Sequence, residues 1–184
     1  MRLRLTEDHA RALVAHAQQA YPAEACGLIG GVGDMATQII PIPNVSSDPQ
    51  RQFRLDERVF IETVYHLQQQ SAEIIGIYHS HPHGDPLPSS TDLQEAAYPD
   101  IAYLIIGLSG THPRLGAWSL RQGRAVPVEL HIGLRSTAAP DGSAAVARPQ
   151  HVAILVAAVL AFACMVLWSL ALLPPAPVIL TPVP

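Results

Sequence analysis

The sequence has no lysine, and all 11 of its basic residues are arginine. These arginines are scattered, and the net charge is −4. There is therefore no basic stripe to neutralise phosphates, which excludes nucleic acid as a partner. Cysteine is scarce as well. Cys26 and Cys164 fall in different regions, so no disulfide framework is implied, and a reducing compartment fits. The first residues, MRLRLTEDHARAL, lack the apolar core of a signal peptide. That reading places the leading domain in the cytoplasm. Gly30-Gly31-Val32-Gly33 is not followed by a helix opening on Lys-Ser/Thr, so it reads as a turn and not as a phosphate loop.

Charge is also missing from the last part of the chain. All 11 basic and 15 acidic side chains precede position 149. Residues 134–151 are rich in Ala, Ser, Gly and Pro and read as a flexible linker. The next 22 residues, 152–173, carry no charge. About 20 apolar residues span the hydrocarbon core of a bilayer, so this run is expected to be one C-terminal transmembrane helix. Trp168 suits an interfacial position, and Pro174-Pro175 ends the run, leaving a Pro-rich tail at 174–184. Arg135 and Arg148 lie on the N-terminal side with nothing basic beyond 173, which places the large domain in the cytoplasm and the tail outside.

Residues 1–133 carry the signals of one α/β domain. Alternation at 2–5 predicts a short strand. Thr6 offers an N-cap, and Ala10, Leu13, Val14 and Ala17 recur at helical spacing, predicting a helix to about Tyr21, where Pro22 stops it. Two strands, 26–31 and 36–42, flank a Gly-rich turn and form a hairpin. A Pro-rich loop and a second amphipathic helix from Asp56 to about Gln70 follow. The apolar run 73–81 suits the middle of a sheet. After a loop at 82–88 come a helix from Ser89 to about Tyr98, a strand at 101–108, and a closing hairpin of 114–120 with 125–131.

The sharpest feature is His79-Ser80-His81 followed, after ten intervening residues, by Asp92. Two histidines at i and i+2 on a strand project to one side, so both imidazoles reach one ion. The Pro-rich loop then returns the Asp92 carboxylate as a third ligand. Two histidines, one carboxylate and an open position make the ligand set of a catalytic zinc site, where a bound water is acidified to a pKa of about 7. A general base is still needed. Glu24, ahead of an apolar strand, is one candidate, but Glu62, Glu73 and Glu95 are others, and spacing does not choose among them.

Taken with Ser89 and the segment Pro-Ala-Glu24-Ala-Cys-Gly, this pattern resembles the JAMM (MPN+) metallopeptidases. Their signature is Glu, then His-Ser/Thr-His, seven residues, Ser, two residues, Asp, and every position is filled here. The likeness covers roughly residues 1–133. It implies His79, His81 and Asp92 as ligands of one zinc ion per chain, Glu24 as general acid and base, and Ser89 as a donor to the oxyanion. It also implies the MPN/JAMM fold, related to cytidine deaminases, with a curved mixed sheet flanked by helices.

The resemblance further implies a substrate class: a peptide or isopeptide bond at the C-terminus of a ubiquitin-like or sulfur-carrier protein. Removal of a ubiquitin-like modifier from lysine side chains is the alternative within the enzyme class. A deaminase is excluded, since His-x-Glu and Pro-Cys-x-x-Cys are absent. A non-catalytic MPN scaffold loses ligand residues, whereas this chain keeps them all. Short loops around 40–53 and 82–88 predict an open groove for a thin, extended tail. His66, His83 and His112 read as surface histidines, with His83 near enough to the site to touch substrate, and Cys26 reads as a small packing residue.

Overall fold

The computed structural model describes residues 1–133. The expected linker, membrane helix and tail lie outside the described residues. Within them, no helix is long and apolar enough to cross a membrane.

Among the described residues, eight strands form one sheet in the order β7-β6-β5-β4-β2-β3-β1-β8. The strands are β1 (Arg2–Leu5), β2 (Cys26–Val32), β3 (Met35–Ile42), β4 (Glu73–His81), β5 (Ala102–Gly107), β6 (Arg114–Arg121), β7 (Arg124–Pro127) and β8 (Glu129–Ile132). The helices are α1 (Glu7–Ala20), α2 (Glu57–Gln69) and α3 (Ser90–Glu95). The sheet is mixed: β4 pairs with β5 in parallel, as do β1 with β3 and β1 with β8, and the remaining ladders are antiparallel.

Local sequence sets the helix starts. The Thr6 hydroxyl accepts from the His9 amide at 3.1 Å, and the His9 ring answers at the Thr6 amide, a reciprocal cap. Asp56 caps α2 by accepting from the Val59 amide at 3.0 Å.

Side chains alternate across the sheet and divide the core in two. On one face Leu3, Leu5, Ile29, Tyr78, Leu104 and Ile106 pack with Leu13 and Ala17 of α1. On the other, Leu28, Ile42, Ile77, Tyr103 and Leu120 pack with Val59 and Phe60 of α2 and with Phe53 and Leu55 before it. Helices therefore flank the sheet on both sides. β4 runs through its middle, paired along its length with β2 and β5, and carries residues 79–81 to one end of the sheet.

The closing hairpin differs from expectation. The sequence predicts one strand over 125–131, but the ladder with β6 ends at Pro127 and the chain then joins the opposite edge, where β8 lies parallel to β1. Pro127 has no amide hydrogen to extend a ladder. Val128 turns inward and donates its amide to the Ala117 carbonyl at 2.8 Å. Consecutive strands separated by one residue can occupy opposite edges of an eight-stranded sheet only if the sheet is strongly curved. Register shifts in β2 at Ile29/Gly30 against β4 and at Gly30/Gly31 against β3 add local bending. α3 is also shorter than predicted. It ends at Glu95, with Ala96 already extended and Pro99 close behind.

Candidate metal centre

His79 and His81 leave the C-terminal end of β4 on the α2 face, and Asp92 lies in the first turn of α3. One ligand atom from each lies within 4.8 Å of the others. The two Nε2 atoms are 3.0 Å apart. His79 Nε2 is 3.3 Å from Asp92 Oδ1, and His81 Nε2 is 3.4 Å from Asp92 Oδ2. Ligands held about 2.0–2.2 Å from a tetrahedral ion stand roughly 3.3–3.6 Å from one another. The spacing fits a zinc-sized ion.

The electrostatics fit as well. His79 is fully buried, and burial lowers its pKa, keeping the imidazole neutral as a ligand must be. Its Nδ1 is buried with no partner among the described residues. His81 also feels burial, but the Asp92 carboxylate and the Asp85 carbonyl outweigh it and raise its pKa. His81 Nδ1 lies 3.0 Å from the Asp85 carbonyl, so it carries a hydrogen in either protonation state, and Nε2 presents a lone pair inward once the imidazolium has lost its second proton. Burial opposes ionisation of Asp92, yet hydrogen bonds from His79 and His81 hold its carboxyl far below the usual range.

The other predicted residues sit around this cluster. Glu24 lies two residues ahead of the start of β2, which is the neighbour of β4, and is only 5% exposed. Burial pushes its pKa up to about 7; His81 opposes this, and Asp92 and Asp48 add to it. Such a carboxyl takes up and releases a proton near neutrality. Ser89 is exposed and caps α3, its Oγ accepting from the Asp92 amide at 3.1 Å while its own amide donates to Asp92 Oδ2 at 2.7 Å. The cap uses the hydroxyl as acceptor and leaves its hydrogen free to donate. Of the competing glutamates, Glu62 is exposed and paired with Arg58, and Glu73 is exposed at the far end of β4. Glu95 lines a recess with Asp92. His83 is exposed and meets Tyr21 edge-on at 5.5 Å.

The 43–54 loop, expected to border an open groove, packs beside the site. The Glu24 amide donates to the Pro49 carbonyl at 2.7 Å, and the Phe53 ring stacks on His79. The ligand side chains of His81 and Asp92 are 14% and 8% exposed. A recess next to Asp92 shares Phe53, Glu95 and Tyr103 with a cavity of about 510 Å³ that is also lined by Leu55, Phe60 and Tyr98.

Three contributors are given no role by the sequence reading. Ser80 points away from the ligands, and its Oγ accepts from the Ala25 amide at 2.8 Å, stitching β4 to the segment bearing Glu24. Its position between two ligands on a strand is the available signal, since alternation must turn it to the other face. Phe53 and Asn44 lie in a loop without periodicity, and nothing in the sequence marks them.

The model of prokaryotic homologs of the JAB domain matches residues 6–121. The chain is 33% identical over 115 residues to a desampylase of Haloferax volcanii, covering 59% of this chain and 83% of that protein. It is 32% identical over 112 residues to a probable TtuB-protein conjugate cleaving protease of Thermus thermophilus, covering 61% and 72%. It is 33% identical over 108 residues to a CysO-cysteine peptidase of Mycobacterium tuberculosis, covering 57% and 73%. A solution structure of a protein from Desulfitobacterium hafniense has a TM-score of 0.65 and 30% identity, over 71% of this chain and 92% of its own. The matched span contains Glu24 and all three ligand positions, and the chain belongs to the prokaryotic homologs of the JAB domain, as its motif implied.

Proposed function

We propose that this protein is a zinc-dependent peptidase that hydrolyses a peptide or isopeptide bond at the C-terminus of a ubiquitin-like or sulfur-carrier protein. The observation that carries the reading is the convergence of His79, His81 and Asp92 with a buried carboxyl, Glu24, whose pKa is pushed up to about 7. Zinc bound there supplies a Lewis acid for the scissile carbonyl and acidifies the attacking water. Glu24 accepts that water's proton and delivers it to the departing amine. The Ser89 hydroxyl donates to the carbonyl oxygen as its negative charge grows, a contribution typically worth about 3–4 kcal/mol. His79, His81 and Asp92 would hold the ion, and the Asp85 carbonyl fixes the His81 ring so that its Nε2 would face it.

The substrate class rests on the relatives, whose names specify a desampylase, a TtuB-protein conjugate cleaving protease and a CysO-cysteine peptidase. Our first choice is release of an amino acid from a carrier's C-terminal tail, and the recess beside Asp92 supports a thin substrate segment. Two of the three relatives are named for modifiers or conjugates, which favours branched lysine conjugates as the second reading. The retention of every ligand argues against a scaffold. The apolar run 152–173 and the arginines preceding it support a single membrane anchor with the catalytic domain on the cytoplasmic side.

The test is to purify the full-length chain, measure bound zinc, and assay a carrier extended by one amino acid beside a lysine-branched conjugate, with Glu24→Ala as control. One zinc per chain and cleavage abolished in the variant are expected. Cleavage of the branched substrate alone would replace the first choice by the second. A folded chain that binds no zinc and cuts neither substrate would leave only the scaffold.

A further inference from the structure

We propose that Asn44 is a positioning residue that latches the 43–54 loop and thereby sets both Glu24 and Phe53 against the metal ligands. Asn44 follows β3 and forms an isolated bridge with Leu55. Its Nδ2 donates to the Glu24 carbonyl at 3.0 Å and to the Gln52 carbonyl at 3.2 Å. Its Oδ1 accepts from the Ser46 and Arg54 amides, both at 3.0 Å. An amide side chain has two donor hydrogens and two acceptor lone pairs, and here all four are engaged with backbone.

The partners determine what the latch does. Gln52 and Arg54 flank Phe53 on both sides, so fixing their backbone fixes the direction of the Phe53 ring, which stacks on His79. Glu24 is held to the same loop twice, through its carbonyl by Asn44 and through its amide by the Pro49 carbonyl at 2.7 Å. With both ends of the residue anchored, the origin of its side chain is set by the loop. A single side chain thus ties the general base and the aromatic wall of His79 into one unit. No other residue type reproduces this pattern: aspartate keeps the two acceptor bonds and loses both donors, glutamine is one methylene too long, and leucine has neither.

The role of Glu24 rests on the hydrolase proposed above, so the test has one readout that depends on that reading and one that does not. Full-length wild type, Asn44→Asp and Asn44→Ala are compared by amide hydrogen exchange without metal and by kcat and KM with zinc on the extended carrier. For Asn44→Asp we expect faster exchange at the Glu24 amide while the Ser46 and Arg54 amides stay protected. For Asn44→Ala we expect all three to be faster. Displacement of a reacting group by about 1 Å lowers rate roughly 100-fold, so kcat should fall by that order in both variants while KM changes little.

Unchanged Glu24 exchange in both variants overturns the latch, as does wild-type kcat despite faster exchange. Global unfolding of both variants would make Asn44 a scaffold residue and overturn the positioning role. A wild type that hydrolyses nothing would sink the hydrolase, while the exchange pattern would still decide whether Asn44 latches the loop.

Discussion

The ring of Phe53 lies over that of His79, with centroids 4.4 Å apart and planes 19° from parallel. His79 is fully buried, so this stack forms the wall that separates a metal ligand from solvent on that side. A stacked aromatic pair contributes about 0.5–1.5 kcal/mol beyond the area it buries. Phe53→Leu should therefore destabilise the metal-free protein by about 1 kcal/mol and weaken zinc binding by about tenfold. Urea unfolding and a chelator competition titration measure the two effects. Equal zinc affinity in wild type and variant would show that the stack is packing alone.

Glu24 gives a pH dependence of stability with a definite sign. Its folded-state pKa of about 7 lies above the ordinary value of 4.5, because burial disfavours the carboxylate. The protonated form is thus favoured by folding. That stability is complete below 4.5 and lost as pH rises through about 7. Glutamine does not titrate. In metal-free protein Glu24→Gln should gain on wild type as pH rises from about 4.5 to about 7, then hold a constant advantage. Paired urea titrations at several pH values check this, and parallel curves for the two proteins would refute a raised Glu24.

Zinc affinity should fall as the solution is acidified. Asp92 and the Asp85 carbonyl favour the protonated imidazolium of His81 against the effect of burial, raising its pKa above the usual value. The ion can enter only when that proton leaves Nε2. Below the His81 pKa each unit of pH should lower apparent affinity about tenfold, one proton being released per zinc bound. Competition titrations between pH 5 and 8, with calorimetry in two buffers to count protons, provide the check. Asp92→Asn removes the partner that raises His81, so its pH dependence should begin at lower pH. An onset unchanged by that substitution would remove Asp92 from this role.

Much of the site was legible because its residues obey short-range rules. His79 and His81 share a face by strand alternation, Asp92 enters through the helix that Ser89 caps, and Thr6 and Asp56 mark the helix starts. What was hidden is non-local. Whether 124–132 continues along β6 or crosses to β1 depends on the closure of the whole sheet, which no window of sequence contains. Spacing does not choose Glu24 over other glutamates; the resemblance does, and the β2–β4 pairing that brings Cys26 beside His79 is the non-local contact behind it. Asn44 acts through backbone atoms twenty residues upstream and up to ten downstream, and such bonds leave no periodicity.

Gly27 ties this packing to a prediction that separates two uses of glycine. A Cβ added at Gly27 would stand 2.3 Å from the Ile40 carbonyl oxygen and 2.6 Å from both Cε1 and the hydroxyl of Tyr78. Neither neighbour can move freely. The carbonyl belongs to the backbone of β3, and Tyr78 is fully buried with its hydroxyl 2.9 Å from His16 Nδ1. Alanine there must pry β2 from β3 or displace Tyr78, an overpacking worth about 1–3 kcal/mol or more. Gly33 has no atom within 4 Å of its added Cβ but sits at φ +63°, so Gly33→Ala should cost only the left-handed strain of about 1–2 kcal/mol. β2 also sets the register of Cys26 against His79, so Gly27→Ala should lower zinc affinity while Gly33→Ala should not. Thermal unfolding and zinc competition on both variants decide the matter, and a Gly27 variant as stable and as tightly metal-binding as the Gly33 variant would mean that the β2–Tyr78 contact does not hold the ligand strand in place.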